Sequence, residues 1–159
     1  EYLAVRGGIR NPAILSCLGA QLRAGDALEI GTEPLVESEL LPPFALRAIR
    51  VLPGPDRDAF TEDALDVLTS GNYRTLPASD RVGTRLSGPA IPRRPDAHEQ
   101  SRPMVCGAIE IPADGMPIVL GPDHPTTGGY PLIAVIVTED WGPFFALPLG
   151  EMVRFVSSK

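Results

Sequence analysis

Gly115-Met-Pro-Ile-Val-Leu-Gly-Pro-Asp-His-Pro-Thr-Thr-Gly-Gly-Tyr-Pro-Leu-Ile-Ala-Val-Ile-Val-Thr138 is the stretch whose reading decides the fold. It opens and closes on apolar runs, Ile118–Leu120 and Leu132–Val137. Between them, Gly121–Pro131 holds three glycines, three prolines, two threonines, one Asp, one His and one Tyr. Short β-rich runs bounding a Gly/Pro/Asp cluster predict strand–loop–strand. The loop is too long for a two-residue hairpin turn and too polar to be a mere connector. Its prolines stiffen it, while Gly128 and Gly129 open backbone conformations that other residues avoid. Asp123, His124, Thr126, Thr127 and Tyr130 on one stiff arc predict a binding site. The alternative is a loop ordered by its own side-chain hydrogen bonds.

The rest of the chain agrees with a mainly β fold. Its 159 residues suit one domain, or two halves of one compact unit, with a real core. The 16 glycines and 18 prolines, more than a fifth of the chain, break helices and favour short strands joined by turns. Apolar residues at 43% and a mean hydropathy of +0.05 mark a globular chain. No apolar run approaches the roughly 18–20 residues needed to cross a membrane, and no signal-peptide pattern is present. Glu1 leads straight into a strand-like Tyr2-Leu-Ala-Val, which predicts that a longer parent chain begins earlier.

A net charge of −6 argues against nucleic acid or an anionic membrane as the main partner. The basic residues nonetheless gather at Arg81, Arg85, Arg93, Arg94 and Arg102, a cluster able to hold a carboxylate or phosphate, or else a set of solvated loop charges. Cys17 and Cys106 show no metal-binding spacing and no disulfide framework, so buried thiols in a reducing cytoplasm and no metal are expected.

Taken in order, Tyr2–Arg6 reads as a strand and Asn11-Pro12 as a turn. Leu22-Arg-Ala-Gly-Asp-Ala-Leu-Glu-Ile reads as a turn entering a strand, and it returns as Leu147-Pro-Leu-Gly-Glu-Met-Val-Arg-Phe. Similar corners at both ends of a β-barrel, or chance, would explain the repeat. Glu33–Pro43 reads as a connector, and Leu46–Leu52 as a strand stopped by Pro53-Gly54-Pro55. Thr61–Ser70 is the best helix, with Thr61 as cap, Gly71 as stop, and Ala64, Leu65 and Leu68 on its core face. Tyr73–Leu76 and Thr84–Leu86 are strands. Asp80, Arg81 and Arg85 place both signs of charge at the turn between them, where Asp80 can equally cap its own turn. Ile91–Pro103, with His98, Glu99 and Ser101, is expected to be a mobile loop unless a ligand or partner orders it. In Gly107–Pro112, Glu110 faces away from Ile109 and Ile111. Asp140–Leu147 packs its aromatics as a short helix or turn on the barrel edge, and Met152–Val156 closes the chain.

Three segments carry a resemblance: Ser79-Asp-Arg-Val-Gly-Thr-Arg-Leu-Ser-Gly-Pro, Gly107-Ala-Ile-Glu-Ile-Pro-Ala-Asp-Gly-Met-Pro-Ile-Val-Leu, and Asp123-His-Pro-Thr-Thr-Gly-Gly-Tyr-Pro. In order and spacing they resemble the biotin-dependent carboxyltransferase family. That family includes the C subunit of bacterial 5-oxoprolinase, also called allophanate hydrolase subunit 2, and one half of the carboxyltransferase domain of urea carboxylase. The Tyr2-Leu-Ala-Val-Arg-Gly-Gly-Ile and Leu22–Ile30 segments extend the likeness over nearly the whole chain.

The resemblance implies a cyclophilin-like β-barrel with one or two short helices over residues 46–159. It assigns residues 1–45 to the end of an N-terminal half, or to a first portion of the barrel. It implies a partner, the homologue of the 5-oxoprolinase B subunit (allophanate hydrolase subunit 1), and a cytoplasmic enzyme acting on small amides. The reaction is ATP-dependent opening of 5-oxoproline to glutamate, or carboxyl transfer from carboxybiotin. ATP or carboxybiotin comes through partner subunits, since the chain has neither a biotin-attachment signal nor a Gly-Lys-Ser/Thr phosphate loop. A family member described as antagonising a sporulation-kinase inhibitor supplies the alternative, a non-catalytic regulatory binding protein.

For amide chemistry, anion donors and an acid/base pair are needed. Asp123, His124 and Arg81 are the catalytic candidates. Arg85, Asp80, Glu110, Thr126, Thr127, Gly128, Gly129 and Tyr130 are the substrate-binding candidates, with the threonines and glycine amides as an anion cradle. Asp123 capping its loop, Tyr130 filling core and Arg81 pairing with Asp80 remain open. The chain departs from the family at Val82-Gly83-Thr84 (commonly Met-Gly-Tyr), at Ser101-Arg102 (often Ser-acid) and at Glu110 (usually Gln). The segment after Ile14 is also shorter, as though residues were missing between about Ser16 and Leu18.

Overall fold

Alternation of apolar and polar residues, cut every few positions by Gly or Pro, produces strands of two to six residues. The computed structural model describes residues 48–97 and 99–158, together with Gly25 and Ala27. The chain divides into two compact units, Glu1–Phe44 and Ala45–Lys159, and the elements below belong to the second. The strands read from Tyr2–Arg6 and Leu22–Ile30 (Gly25 and Ala27 apart), the Asn11-Pro12 turn, the Glu33–Pro43 connector, Cys17 and His98 lie outside the described residues.

The strands are β1 (Ile49–Pro53), β2 (Asn72–Thr75), β3 (Gly83–Ser87), β4 (Arg102–Pro103), β5 (Ala108–Glu110), β6 (Ile118–Leu120), β7 (Thr127–Gly128), β8 (Leu132–Ile136) and β9 (Met152–Ser157). Two short helices, α1 (Ala64–Ser70) and α2 (Trp141–Phe145), and two 3-10 turns accompany them. Seven strands close a barrel in the order β1-β8-β5-β6-β3-β2-β9, while β4 and β7 form a separate two-stranded ribbon. The closing contact is parallel, with Ile49 opposite Phe155, and the other barrel pairings are antiparallel. The mainly β barrel with two short helices is therefore what the sequence folds into.

Register sets the core. Thr84, Val119, Ile109 and Ala134 stand side by side across β3, β6, β5 and β8. Paired residues of neighbouring strands share a face, so this row points into the barrel. Its Val119, Ile109 and Ala134 join Val51, Leu86, Tyr73, Val153 and Phe155 in one buried cluster. Phe144 belongs to that cluster too, its ring 6.2 Å from that of Phe155. It therefore plugs the barrel, where an aromatic on the barrel edge was expected.

The intervening residues Ala108, Leu120 and Leu132 face outward and bury a second cluster with Met104. Met104 directly follows β4, so the β4–β7 ribbon packs on the outside of the barrel. Asp56 ties it down: Oδ1 meets Arg102 Nη1 at 2.5 Å, and Oδ2 accepts the Leu132 N–H at 2.8 Å.

Three expectations are corrected. Thr61 does not cap α1; its hydroxyl bonds the Asp63 carboxylate at 2.5 Å, and its backbone carbonyl takes the Ala64 N–H. The hydroxyl donates to the neighbouring carboxylate instead of accepting a backbone N–H. The Ile91–Pro103 segment is held by the protein itself. Arg94 bonds the Phe60 carbonyl, Arg93 bonds Glu99 and the Ile111 carbonyl, and Phe60 bridges Arg93. Its arginines thus act as internal fasteners. Cys106 is partly exposed, because it sits in the turn between the ribbon and β5.

The repeated Gly-acid pattern has a shared backbone signature. Gly25 and Gly150 both take left-handed φ, +98° and +89°. A side chain would be strained there, so glycine is required at both turns.

Candidate functional site

The turn between β2 and β3 is built by its own polar side chains. Ser79 Oγ donates to the Leu76 carbonyl at 2.7 Å and accepts the Arg85 N–H at 2.9 Å. Asp80 Oδ1 accepts the N–H groups of Val82 (2.9 Å) and Gly83 (3.0 Å). Asp80, a binding candidate in the sequence, thus shapes the turn. The shaped turn leaves Arg81 at its tip.

β6 runs antiparallel to β3, so the loop leaving β6 returns beside this turn. Gly121 N–H donates to the Val82 carbonyl, and Asp123 N–H donates to the Arg81 carbonyl. A Cβ on residue 121 would run into the Arg81 carbonyl, and the glycine is what lets the two backbones meet. The side chains then pair side-on: Arg81 Nε to Asp123 Oδ2 at 2.6 Å and Nη2 to Oδ1 at 3.1 Å. Arg81 therefore pairs with Asp123 across the loops rather than with its neighbour Asp80.

The Arg81 hydrogen bond holds the Asp123 carboxyl below its ordinary value, and Asp123 raises Arg81 in return. Both side chains stay well exposed, 77% for Arg81 and 50% for Asp123, so water screens the pair. Nη1 of Arg81 makes no hydrogen bond to a described residue, which leaves an anion-binding edge. His124 follows at once, with Nδ1 2.9 Å from the Pro125 carbonyl. A carbonyl only accepts, so Nδ1 carries the hydrogen of that bond and Nε2 is the ring nitrogen left for other partners.

A cleft of about 380 Å³ opens beside this pair. Arg81, Thr84 and Pro122 line one side, and Phe145, Leu147 and Leu149 another. The apolar wall escaped sequence reasoning, because nothing near Leu147 and Leu149 announces that β9's approach faces the β2–β3 turn.

The remaining candidates lie elsewhere. Thr127 and Gly128 form β7, opposite Pro103 and Arg102, and the Thr126 carbonyl accepts the Met104 N–H. Gly129 has open space around its α-carbon. Arg85 and Glu110 share the outer face of the barrel, flanking Ile118, and Tyr130 lines a groove there with Arg85. Among the described residues, no group of three or more His, Cys, Asp or Glu could hold a metal ion. No described helix is long and apolar enough to cross a membrane.

With this geometry in view, residues 1–157 match the family model described as carboxyltransferase domain, subdomain A and B. The chain belongs to this carboxyltransferase family. It is 35% identical to the C subunit of 5-oxoprolinase from Escherichia coli (strain K12), over 171 aligned positions covering 98% of this chain and 55% of that protein. To the C subunit of 5-oxoprolinase from Haemophilus influenzae (strain ATCC 51907 / DSM 11121 / KW20 / Rd) it is 30% identical, with 97% and 54% covered. The chain thus spans about half the length of the curated relatives it matches. The 171 aligned positions exceed the chain's 159 residues, so the first relative carries residues within the matched region that this chain lacks. The crystal structure of Kluyveromyces lactis urea amidolyase superposes with a TM-score of 0.70 at 23% identity, covering 87% of this chain and 9% of that one. That likeness is of fold. In the terms of this family, the Arg81–Asp123 pair joins two of the three segments that carried the resemblance.

Proposed function

We propose that this carboxyltransferase-family chain is a subunit of a heteromeric enzyme acting on a small amide, of the 5-oxoprolinase kind. The reaction is the opening of 5-oxoproline to glutamate with ATP. ATP, or carboxybiotin in a carboxyltransferase variant of the chemistry, reaches the site through partner subunits homologous to the 5-oxoprolinase B subunit. The observation that carries the reading is Arg81 lining the cleft while Asp123, next to His124 in the chain, holds its guanidinium at two points.

Amide opening through an activated oxygen needs a cation for the developing anion and a group that moves the amide proton. Asp123 uses both carboxylate oxygens on Arg81, which suits an orienting role better than that of a base. Arg81 then presents Nη1 to a carboxylate or phosphoryl oxygen. His124 offers Nε2 for the proton, since an imidazole nitrogen can both take a proton and give it back. The apolar wall of Phe145, Leu147 and Leu149 carries the carbon skeleton of the amide and limits water.

The test is glutamate release and ATP hydrolysis from 5-oxoproline by the full-length protein with its neighbouring subunits. Release that requires this subunit and collapses in Arg81→Ala and Asp123→Ala supports the proposal. Full activity without this subunit overturns it.

A further inference from the structure

The outer face of the barrel carries a second arrangement that the cleft does not use. Thr84 points inward and lines the cleft, so its neighbour Arg85 points outward. Glu110 on β5 pairs with Ile118 on β6, and Ile118 pairs with Arg85 on β3. The three side chains therefore form one row on the outer face. Two interstrand spacings, about 9.6 Å at the backbone, separate Glu110 from Arg85.

These opposite charges feel each other without closing. The Arg85 charge draws on the Glu110 carboxyl, but the two are not an ion pair, and neither side chain hydrogen-bonds a described residue. Ile118 sits between them on the middle strand, so the two charges stand to either side of its side chain. A half-buried carboxylate and a guanidinium on one row, each without a hydrogen-bond partner among the described residues, can both be met by one ligand.

A groove of about 340 Å³ lies alongside, with Arg85, Ser87, Asp114, Met116, Ile118 and Tyr130 among its lining residues. Tyr130 is 41% exposed and forms a ready apolar wall with a polar tip. An anion alone would meet Arg85 but also Asp114 in the groove and Glu110 beside its Ile118 wall. A cation alone would meet the acids but also Arg85. A ligand carrying both charges close together offends neither.

We propose that this groove binds a small zwitterionic α-amino acid. Its carboxylate lies on Arg85, its ammonium on Glu110, and its side chain runs over Ile118 and Met116 beside the Tyr130 ring. The site lies on the opposite face of β3 from the Arg81–Asp123 cleft, and it stands whether or not that cleft opens an amide.

The test is calorimetric titration of the full-length protein with L-leucine, N-acetyl-L-leucine and L-leucinamide. The proposal expects L-leucine to bind, and loss of either charge to weaken binding about tenfold or more. Arg85→Gln and Glu110→Gln should each weaken L-leucine binding by a similar factor, while Asp123→Ala leaves it unchanged. Equal binding of all three probes, no binding of L-leucine, or full affinity in both groove variants would overturn it. The three-probe comparison needs no variant and holds even if a substitution unfolds the protein.

Discussion

Arg81 and Asp123, 42 residues apart in the chain, meet through two side-chain hydrogen bonds and a backbone bond from Asp123 N–H to the Arg81 carbonyl. The β2–β3 turn and the loop that follows β6 are thereby locked at both main chain and side chain. Solvent screening makes the side-chain pair a minor contributor to stability, and its two-point geometry makes it a means of aiming a guanidinium. Arg81→Ala and Asp123→Ala should each lower kcat/KM for the amide by about 10²-fold, with melting temperature moving by no more than about 2 °C. Their combination should cost little more than either alone, because they act as a unit. A large loss of melting temperature in either single variant would show the pair to be structural.

Gly121→Ala tests the backbone lock from the other side. The added methyl group would meet the Arg81 carbonyl and push the loops apart. The expected cost is about 1–3 kcal/mol in urea unfolding, together with an activity loss comparable to Arg81→Ala. Activity retained at full level would mean that Arg81 and Asp123 need not be held at this spacing.

Asp56 gives the ribbon its attachment. Asp56→Ala would leave the Leu132 N–H and the half-buried Arg102 guanidinium without their acceptor, at a cost of about 1–3 kcal/mol. Asp56→Asn should recover part of that loss, since its carbonyl oxygen can still accept from Leu132. Limited proteolysis should cut the 102–128 region faster in Asp56→Ala. Equal stability of all three proteins would remove the clamp from the account of the fold.

Phe144 closes one end of the core, edge-on to Phe145 with ring centroids 5.2 Å apart. Phe144→Ala should destabilise by about 3–5 kcal/mol, the usual cost of emptying a buried aromatic site. It should also loosen the cleft wall next to it. A loss below about 1 kcal/mol in denaturant unfolding would show that the ring contributes little to the core.

Glu110 gives the pH dependence a sign. Burial raises its carboxyl above the ordinary value, and the Arg85 charge pulls it partly back. The folded protein therefore holds this proton more tightly than the unfolded chain. Its effect favours the fold below the ordinary carboxylate value and turns unfavourable as pH rises through the raised one. Glu110→Gln should melt higher than the parent at neutral pH and match it below about pH 4. A variant that melts lower than the parent at neutral pH would show that the ionised carboxylate stabilises the fold.

The sequence by itself determined the strands and several of the turns. Ile118–Leu120 and Leu132–Ile136 are strands because branched and apolar residues run between Gly/Pro breaks, a pattern plain in Gly115–Thr138. The Asp80 turn and the left-handed glycines at positions 25 and 150 are local too, set by which backbone conformations each residue permits. Local rules stop where partners are chosen by barrel closure. Arg81 and Arg85 read as one basic cluster, yet Arg81 sits in a turn, where strand alternation does not apply, and Arg85 sits on the outer face of β3. Only the antiparallel return of β6 beside β3 puts Asp123 against Arg81. Only β8 beside β1 brings Asp56, just past β1, to the N–H of Leu132 at the start of β8, from which it also holds Arg102. A short segment cannot encode which distant segment it will face, because many pairings satisfy its own backbone equally. Tertiary structure decides that by closing one barrel around one set of buried side chains.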